Sequence, residues 1–228
     1  MRTWNVFHGN AHPPRRRGFL KEMLERASAD GPDVLCLQEL PVWALPFVDD
    51  WTGMQAARSI ARRPFVLPGG VAGWITRRHQ GLFRSGLAGQ ANAILVAPAH
   101  ALEDLGDEQI SERGRERRTV QAARVGGRLV VANLHASNAS PRPAVEAEIA
   151  RALAFAESRA GAGEPLVLAG DFNLREVRLQ GFSSPAPGVD HVLVRGLAAS
   201  PPRVWPAAER VHNGAVLSDH APVEVTVG

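Results

Sequence analysis

Tyrosine is absent from this 228-residue sequence, and cysteine and lysine occur once each. The single Cys36 excludes an intramolecular disulfide and a cysteine metal site, and its apolar surroundings predict a buried, inert thiol. No apolar run approaches the roughly 20 residues of a membrane-spanning helix, and the N-terminus lacks the apolar segment of a signal peptide. If Met1 is the native start, we expect a soluble cytoplasmic protein with no stable membrane anchor.

The overall charge does not exclude any class of binding partner. The formal net charge is only +3, and arginine supplies nearly every cation, with Lys21 the exception. Because that bias can reflect genome composition, it is not counted as evidence for nucleic-acid binding. The length fits one domain over residues 1–228 with a substantial core, and we expect a monomer.

One stretch combines a strand pattern with residues that carry chemistry. Residues 165–173 form a short apolar run closed by Gly170, followed by Asp171 and Asn173. Such a run predicts a buried strand that delivers its last residues to a sheet edge, where α/β sheets usually place their chemistry. An ordinary turn is the alternative, because Gly, Asp and Asn are the commonest turn residues.

Other predicted strands end in the same way. The strand over 2–7 contains Asn5, the apolar run over 34–39 ends in Glu39, and the strand over 128–134 leads to His135. The remaining strands are predicted at 92–96, 119–125 and 189–194, with a hairpin turn at 126–127, and residues 218–225 form the last unit of the chain.

Helices and loops fill the intervals. Apolar residues at helical spacing predict helices over 19–27 and 145–156, and a short amphipathic helix over 42–51. Residues 58–90 are predicted to form a long irregular excursion, and the charged segment 103–118 to separate two strands. His8 and His12, which flank a loop rich in proline and arginine, are predicted to be surface residues rather than ligands.

The polar residues at the strand ends have complementary chemistry. Carboxylates and amides suit Mg²⁺ or Mn²⁺ rather than zinc, which prefers cysteine and clustered histidine. The imidazoles are then available for proton transfer near neutral pH. The set consists of Asn5, Glu39, His135, Asp171, Asn173, Asp190, Asp219 and His220.

Six short motifs in this order resemble those of the endonuclease/exonuclease/phosphatase superfamily, which includes exonuclease III and pancreatic-type deoxyribonuclease. The motifs are residues 4–6, 38–39, 133–135, 170–173, 189–192 and 218–220. The resemblance extends from residue 4 to residue 225. It implies an α/β fold, a four-layer sandwich with two packed central mixed β-sheets flanked by helices.

The resemblance also implies how a phosphate ester would be attacked. Asn5 and Glu39 would bind the divalent metal, Mg²⁺ or Mn²⁺, with help from Asp219. Asp171 and Asn173 would position or deprotonate the attacking water. A divalent ion with few protein ligands and several waters fits this set.

The remaining implied roles concern the phosphate itself. His220 would contact the scissile phosphate and be oriented by Asp190, and we predict a hydrogen bond between these two side chains. His135 would donate a hydrogen bond to the phosphate or act as an acid. Arg118 resembles a phosphate-binding arginine of the family, although Arg117 could serve instead.

The substrate is less well defined. Members of the family that act at abasic sites carry an acidic residue two positions after the first-motif Asn, where this chain has Phe7, so abasic-site repair is not expected. The arginines at 15–17, 62–63, 77–78 and 113–118 favour a nuclease or other phosphodiesterase with a nucleic-acid substrate.

Two alternatives remain. The first is a phosphatase or phospholipase-type, sphingomyelinase-like hydrolase of a small or lipid phosphoester. It would use an exposed apolar patch formed by Trp43, Phe47 and Trp51, or by Phe65 and Trp74. The second is a binding module that has kept the fold and lost turnover.

Overall fold

The computed structural model describes residues 1–15, 18–64, 88–114, 116–138 and 140–228. Two main β-sheets of mixed strand direction dominate these ranges, with one small sheet and three α-helices that lie wholly within them. The predicted α/β class with two central mixed sheets is therefore confirmed. No helix in the described part of the chain is long and apolar enough to cross a membrane.

The first sheet joins both ends of the chain. Strands are numbered in chain order; the spatial order here is β11 (Arg203–Val204), β14 (Val223–Glu224), β1 (Arg2–Asn5), β3 (Val34–Leu40), β5 (Gln90–Val96) and β4 (Gln55–Arg62). The β1 and β3 strands run parallel, so both direct their carboxyl ends to the same edge. That edge therefore receives Asn5 and Glu39.

The second sheet is built around another parallel pair. Its spatial order is β10 (Asp190–Arg195), β9 (Leu166–Asp171), β8 (Leu129–His135), β7 (Thr119–Val125) and β6 (Leu102–Gln109). The β8 and β9 strands are parallel, and their ends pair His135 with Asp171. A third, small sheet contains β12 (Val211–His212), β13 (Ala215–Leu217) and β2 (Ala11–His12).

The helices lie outside the two main sheets. They are α1 (Leu20–Ser28), α2 (Val48–Thr52) and α3 (Arg142–Arg159), and short 3-10 turns occupy Phe7–Gly9, Val42–Phe47 and Ala207–Arg210. Met23, Leu24 and Val48 of the first two helices pack in one apolar cluster with the first sheet. Ile149 and Phe155 of α3 pack with the second sheet. Each helix therefore buries one apolar face against a sheet.

The space between the sheets changes from apolar to polar toward one end. Alternate residues of β8 face the first sheet, because side chains of a strand alternate between its two faces. Val131 lies in the apolar cluster between the sheets, Asn133 follows it two residues later, and His135 comes last. The Nε2 atom of Gln38 donates to Oδ1 of Asn133 across the sheets at 2.7 Å. This amide bridge separates the apolar core from the ionisable residues beyond it.

Most of the predicted elements are confirmed, and two predictions are wrong. The charged segment after residue 102 is not a separator, because Leu102–Gln109 forms the edge strand β6 beside β7. The predicted excursion over 58–90 is wrong at both ends, since residues 58–62 belong to β4 and Gln90 begins β5. Residues 65–87, with Phe65, Trp74 and the 77–78 arginine pair, lie outside the described residues, as do residues 16, 17, 115 and 139.

Candidate active site

Asp171 lies at the centre of the polar strand ends. Strand register pairs it with His135 on one side and with Asp190 on the other. From the opposite sheet, Nδ2 of Asn5 donates to Oδ2 of Asp171 at 3.0 Å, while the backbone N–H of Asn173 donates to Oδ1 at 2.9 Å. The site is therefore assembled at the seam where the two sheets meet.

The carboxyl group of Asp171 has a raised pKa. Burial and the nearby charge of Asp190 raise its pKa to about 7, although His220 and the donors Asn5 and Asn173 oppose the shift. A carboxyl group with this pKa can accept a proton near pH 7. The arrangement thus offers a buried base whose orientation is fixed by two hydrogen bonds.

Asn173 holds its own position through the backbone of the neighbouring strand. Its φ angle is +48°, a left-handed conformation that asparagine tolerates better than most residues. Its Nδ2 atom donates to the carbonyl oxygen of Ala136 at 2.9 Å. Glu148 of α3 secures the same loop by accepting hydrogen bonds from the N–H and Oγ of Ser137.

The predicted pairing of Asp190 with His220 is confirmed. The Nδ1 atom of His220 lies 2.8 Å from Oδ2 of Asp190, which places its Nε2 atom 3.9 Å from Oδ2 of Asp171. Burial alone would lower the pKa of His220, but the hydrogen bond to Asp190 and the surrounding carboxylates outweigh it and raise the pKa to about 10. His220 is therefore an imidazolium at neutral pH.

Ser218 sets the position of His220 and was not predicted as a site residue. Its φ angle is +60°, and its Oγ atom donates to the carbonyl oxygen of Asn5 at 2.7 Å. The same Oγ atom accepts the N–H of His220 at 3.0 Å. Only the turn chemistry of serine could have indicated this bridge between the first and last motifs.

Arg118, and not Arg117, reaches the site. The side chain of Arg118 is 5% exposed, with its NH1 atom 2.9 Å from Nε2 of His135. The side chain of Arg117 is 45% exposed and donates to the carbonyl oxygen of Ile60 at the periphery. Adjacent side chains of an extended segment point in opposite directions. Arg118 therefore directs its side chain into the site, and Arg117 directs its side chain outward.

His135 is a buried neutral imidazole. Burial, followed by the charge of Arg118, holds its pKa well below the usual range. Its Nε2 atom is 3.6 Å from Oδ2 of Asp171, and Nε2 of Gln90 lies 3.1 Å from its Nδ1 atom. Of the two roles predicted for His135, this environment favours the hydrogen bond to phosphate over the role as an acid. Gln90, buried at the start of β5, was not predicted as a site residue.

Glu39 lies between two imidazoles. Its Oε1 atom is 3.7 Å from Nε2 of His135, and its Oε2 atom is 3.6 Å from Nε2 of His8. Burial raises the pKa of Glu39, against the amide of Asn5 and nearby positive charge. Both distances exceed the length of a normal hydrogen bond. Among the described residues, therefore, no cationic side chain forms a close ion pair with Glu39. A half-buried carboxylate in this state fits a divalent ion.

The prediction that His8 is a surface residue is wrong. Its side chain is 4% exposed, because the Phe7–Gly9 turn folds back over the site, whereas His12 is exposed as predicted. Asp219 is exposed at the rim, and its negative charge acts on both Glu39 and His220. Of the predicted metal ligands, Asn5 therefore hydrogen-bonds to Glu39, and Asp219 is near enough for its charge to act on Glu39.

A second set of side chains could also hold a metal. Asp171, Asp190 and His220 offer ligand atoms that lie within 4.8 Å of one another. The donors are carboxylate oxygens and an imidazole nitrogen, which suit several divalent ions. This group is therefore a candidate site for a divalent metal with acidic and histidine ligands.

Comparison with known proteins gives the family. A family model described as the Endonuclease/Exonuclease/phosphatase family matches residues 3–220. The chain belongs to this family. The match confirms the resemblance drawn from six short motifs. Members of the family are metal-dependent phosphoesterases.

Solved structures of similar fold cover the whole chain. A functionally unknown conserved protein from Enterococcus faecalis V583 has a TM-score of 0.72 and 15% identity, with 100% of this chain and 99% of that chain covered. A mannosyl-6-phosphatase from Bacteroides thetaiotaomicron VPI-5482 has a TM-score of 0.68 and 16% identity, with 100% and 98% covered. TDP2 from Caenorhabditis elegans has a TM-score of 0.67 and 16% identity, with 100% and 74% covered. At such identities the likeness shows a shared fold. No curated protein matches the sequence.

Proposed function

We propose that this member of the endonuclease/exonuclease/phosphatase family is a divalent-metal-dependent phosphodiesterase that hydrolyses nucleic acid. The supporting observation is the convergence of a base, a cation and a neutral hydrogen-bonding group on one point. Nε2 of His220 and Nε2 of His135 lie 3.9 and 3.6 Å from the same Oδ2 atom of Asp171. Hydrolysis of a phosphate ester requires these three functions together.

Asp171 is the proposed base for the attacking water. Its pKa of about 7 allows it to accept a proton near neutral pH. The hydrogen bonds from Asn5 and from the N–H of Asn173 leave little freedom for the carboxylate to rotate. A fixed base of this kind holds water in line for attack on phosphorus.

His220 and Arg118 are proposed to supply the positive charges that contact the substrate phosphate. His220 directs its Nε2–H toward the space beside Asp171, because its Nδ1 atom is bonded to Asp190. Arg118 presents a buried guanidinium next to His135. Charge that develops on the nonbridging oxygens during attack is stabilised most by donors that are already oriented.

Glu39, assisted by Asn5 and Asp219, is the proposed metal ligand. A divalent ion bound there supplies Lewis-acid stabilisation of the phosphate oxygens. We assign the ion to Glu39 rather than to the group of Asp171, Asp190 and His220, because a protonated His220 repels a cation.

We also infer that helices complete both outer layers of a four-layer sandwich.

Nucleic acid is favoured by arginines near the site. Arg62 ends β4 opposite Gln90, which contacts His135. Arg175 follows Asn173 by two residues and is exposed. A planar guanidinium binds the phosphate of a nucleic-acid backbone well.

A small or lipid phosphoester is the second candidate. Phe47 is 44% exposed and stacks on Trp51 with ring centroids 5.6 Å apart. This aromatic surface could contact a lipid, and one structure of similar fold is described as a mannosyl-6-phosphatase.

A substrate comparison at low salt with Mn²⁺ tests the proposal. Single- and double-stranded DNA and RNA are compared with sphingomyelin vesicles and sugar phosphates. We expect cleavage of nucleic acid, with affinity that falls steeply as salt is added, in proportion to the number of phosphates contacted. Hydrolysis of a lipid or sugar phosphate without cleavage of any nucleic acid would reject the nuclease assignment and leave the phosphoesterase assignment standing.

A further inference from the structure

An imidazole that the proposed chemistry does not use lies beside the proposed metal ligand. The side chain of His8 is 4% exposed, and its Nε2 atom is 3.6 Å from Oε2 of Glu39. His135 approaches the other carboxylate oxygen, Oε1, at 3.7 Å and is already engaged by Arg118. The side of Glu39 that carries Oε2 therefore faces one nitrogen donor at close range.

The backbone holds His8 and Glu39 toward each other in unusual conformations. Phe7, His8 and Glu39 have φ angles of +48°, +52° and +56°, in the left-handed region that side chains other than glycine rarely adopt. Conformations of this kind persist where surrounding contacts over-determine them, and they cluster at functional sites.

Several hydrogen bonds supply those contacts. The N–H of Phe7 donates to Oδ1 of Asn5 at 3.0 Å, and Nδ2 of Asn10 donates to the carbonyl oxygen of Phe7 at 2.9 Å. Gly9, at φ +81°, packs so closely on α1 that an added Cβ would lie 2.7 Å from Cβ of Leu20. The turn therefore presents His8 in a fixed position and is itself anchored to Asn5, another proposed site residue.

The separation of the two side chains suits ligands of one ion. Two donor atoms that are each about 2.1 Å from an ion, at angles of about 90–115°, are roughly 3.0–3.5 Å apart. A small side-chain rotation brings the observed 3.6 Å into this range. A direct ion pair would instead bring the nitrogen and oxygen to about 2.7–2.9 Å.

We propose that His8 is a nitrogen ligand of the ion held by Glu39, and that the site therefore binds a divalent transition metal in preference to Mg²⁺. Imidazole is a poor ligand for Mg²⁺, which requires oxygen and retains its waters, whereas first-row transition ions accept mixed nitrogen and oxygen donors. This inference rests on the proposed metal-dependent function, which it makes more specific.

The test measures metal binding, using Mn²⁺ as a paramagnetic probe of the 228-residue protein. Pulsed electron paramagnetic resonance of the Mn²⁺ complex detects a directly bound ¹⁴N nucleus, and Mg²⁺ competition gives the relative affinity. We expect a ¹⁴N coupling in the wild type and Mn²⁺ affinity at least about tenfold above that for Mg²⁺. Asparagine tolerates the left-handed conformation at residue 8, so His8→Asn should fold and lose the coupling.

The control variants separate a ligand from a structural residue. His8→Asn should lower Mn²⁺ affinity by about 10–100-fold and leave Mg²⁺ affinity almost unchanged, whereas general damage would lower both. His12→Asn, at an exposed histidine close in sequence, and His135→Asn should both retain the coupling. If His8→Asn does not fold, the absence of a ¹⁴N coupling in the wild type, or equal affinities for Mn²⁺ and Mg²⁺, still rejects the proposal.

Four outcomes would overturn one or both proposals. Mn²⁺ that binds through Glu39 without a ¹⁴N coupling, or with a coupling retained in His8→Asn, rejects the role of His8 and leaves metal dependence intact. Equal affinities of the wild type for Mn²⁺ and Mg²⁺ reject the transition-metal preference. Failure of Glu39→Gln to affect binding of either ion rejects the metal site itself.

Discussion

The charge of His220 depends on one neighbouring carboxylate. Asp190 accepts the Nδ1–H of His220 at 2.8 Å and is the main counterweight to burial, which by itself would lower the pKa of His220. Burial, and after it the same carboxylate, raises the pKa of Asp171 to about 7. A single side chain therefore acts on both limits of the pH range in which the site has an ionised Asp171 and a protonated His220.

Asp190→Asn should therefore shift both limbs of the profile of kcat/KM against pH to lower pH. In the wild type we expect activity to rise as Asp171 ionises, with a pKa of about 7, and to fall as His220 loses its proton, with a pKa of about 10. Removing the charge of Asp190 lowers both values, and kcat/KM at the optimum should fall by about 10²–10⁴-fold. Asp50→Asn, at an exposed residue of α2, serves as the control. An unshifted basic limb in Asp190→Asn would contradict this account.

Adjacent arginines give a matched test of the phosphate site. Arg118→Met removes the buried guanidinium beside His135, and we expect kcat/KM to fall by about 10²–10³-fold, in line with loss of an oriented charge donor. Arg117→Met removes an exposed guanidinium of the same size and should change kcat/KM by less than about threefold. Steady-state kinetics on one phosphodiester compares the two variants. Equal losses of kcat/KM in the two variants would contradict the assignment of Arg118 as the phosphate-binding arginine.

Most site residues could be predicted because polar residues at the ends of apolar runs stand out in a sequence. His8 could not, because a histidine before glycine and a proline-rich loop has the pattern of an exposed turn. It is buried because the N–H of Phe19 donates to the carbonyl oxygen of Gly9, which folds the loop onto α1. This contact between Gly9 and Phe19 has no signature in local sequence.

At the scale of strands, Gly170 allows β8 and β9 to approach at the site. Its φ angle is +134°, and a Cβ atom there would lie only 2.0 Å from the carbonyl oxygen of Leu134. Any larger residue must push apart the strands that carry His135 and Asp171.

Gly170→Ala should therefore destabilise the fold by about 2–4 kcal/mol and lower activity as well. Gly127→Ala provides the control, since its φ angle is +70° and no atom lies within 4 Å of the added Cβ. That variant should cost only about 1–2 kcal/mol, the usual penalty of a left-handed residue, and retain activity. Urea denaturation measures both. Equal destabilisation would show that contact with Leu134 is unimportant.

The elements that followed simple periodicity were predictable, and the edge strand β6 was not. Its eight residues are mostly exposed and include Glu103, Asp104, Asp107 and Glu108. Charged residues are common on edge strands because they discourage pairing with other chains. The same charges remove the alternation of apolar and polar residues by which a strand is recognised from sequence.

At the scale of the whole molecule, the pairing of distant strands determines the site. Residues from the first strand to the last loop meet only because β1 lies between β14 and β3, and because Asn5 reaches Asp171 in the other sheet. Periodicity cannot reveal such pairings, so the arrangement of sheets was predictable only through the family resemblance. That residues 1–228 form one monomeric, cytoplasmic domain stays a prediction.

The central claim is that Glu39 makes phosphoester hydrolysis depend on a divalent metal. Its most direct test is hydrolysis of a chromogenic phosphodiester by the wild type and by Glu39→Gln, with Mg²⁺, with Mn²⁺ and with excess EDTA. We predict that EDTA abolishes wild-type activity, that added metal restores it, and that Glu39→Gln lowers kcat by about 10³-fold while the protein stays folded by circular dichroism. Full wild-type activity in excess EDTA would contradict the claim.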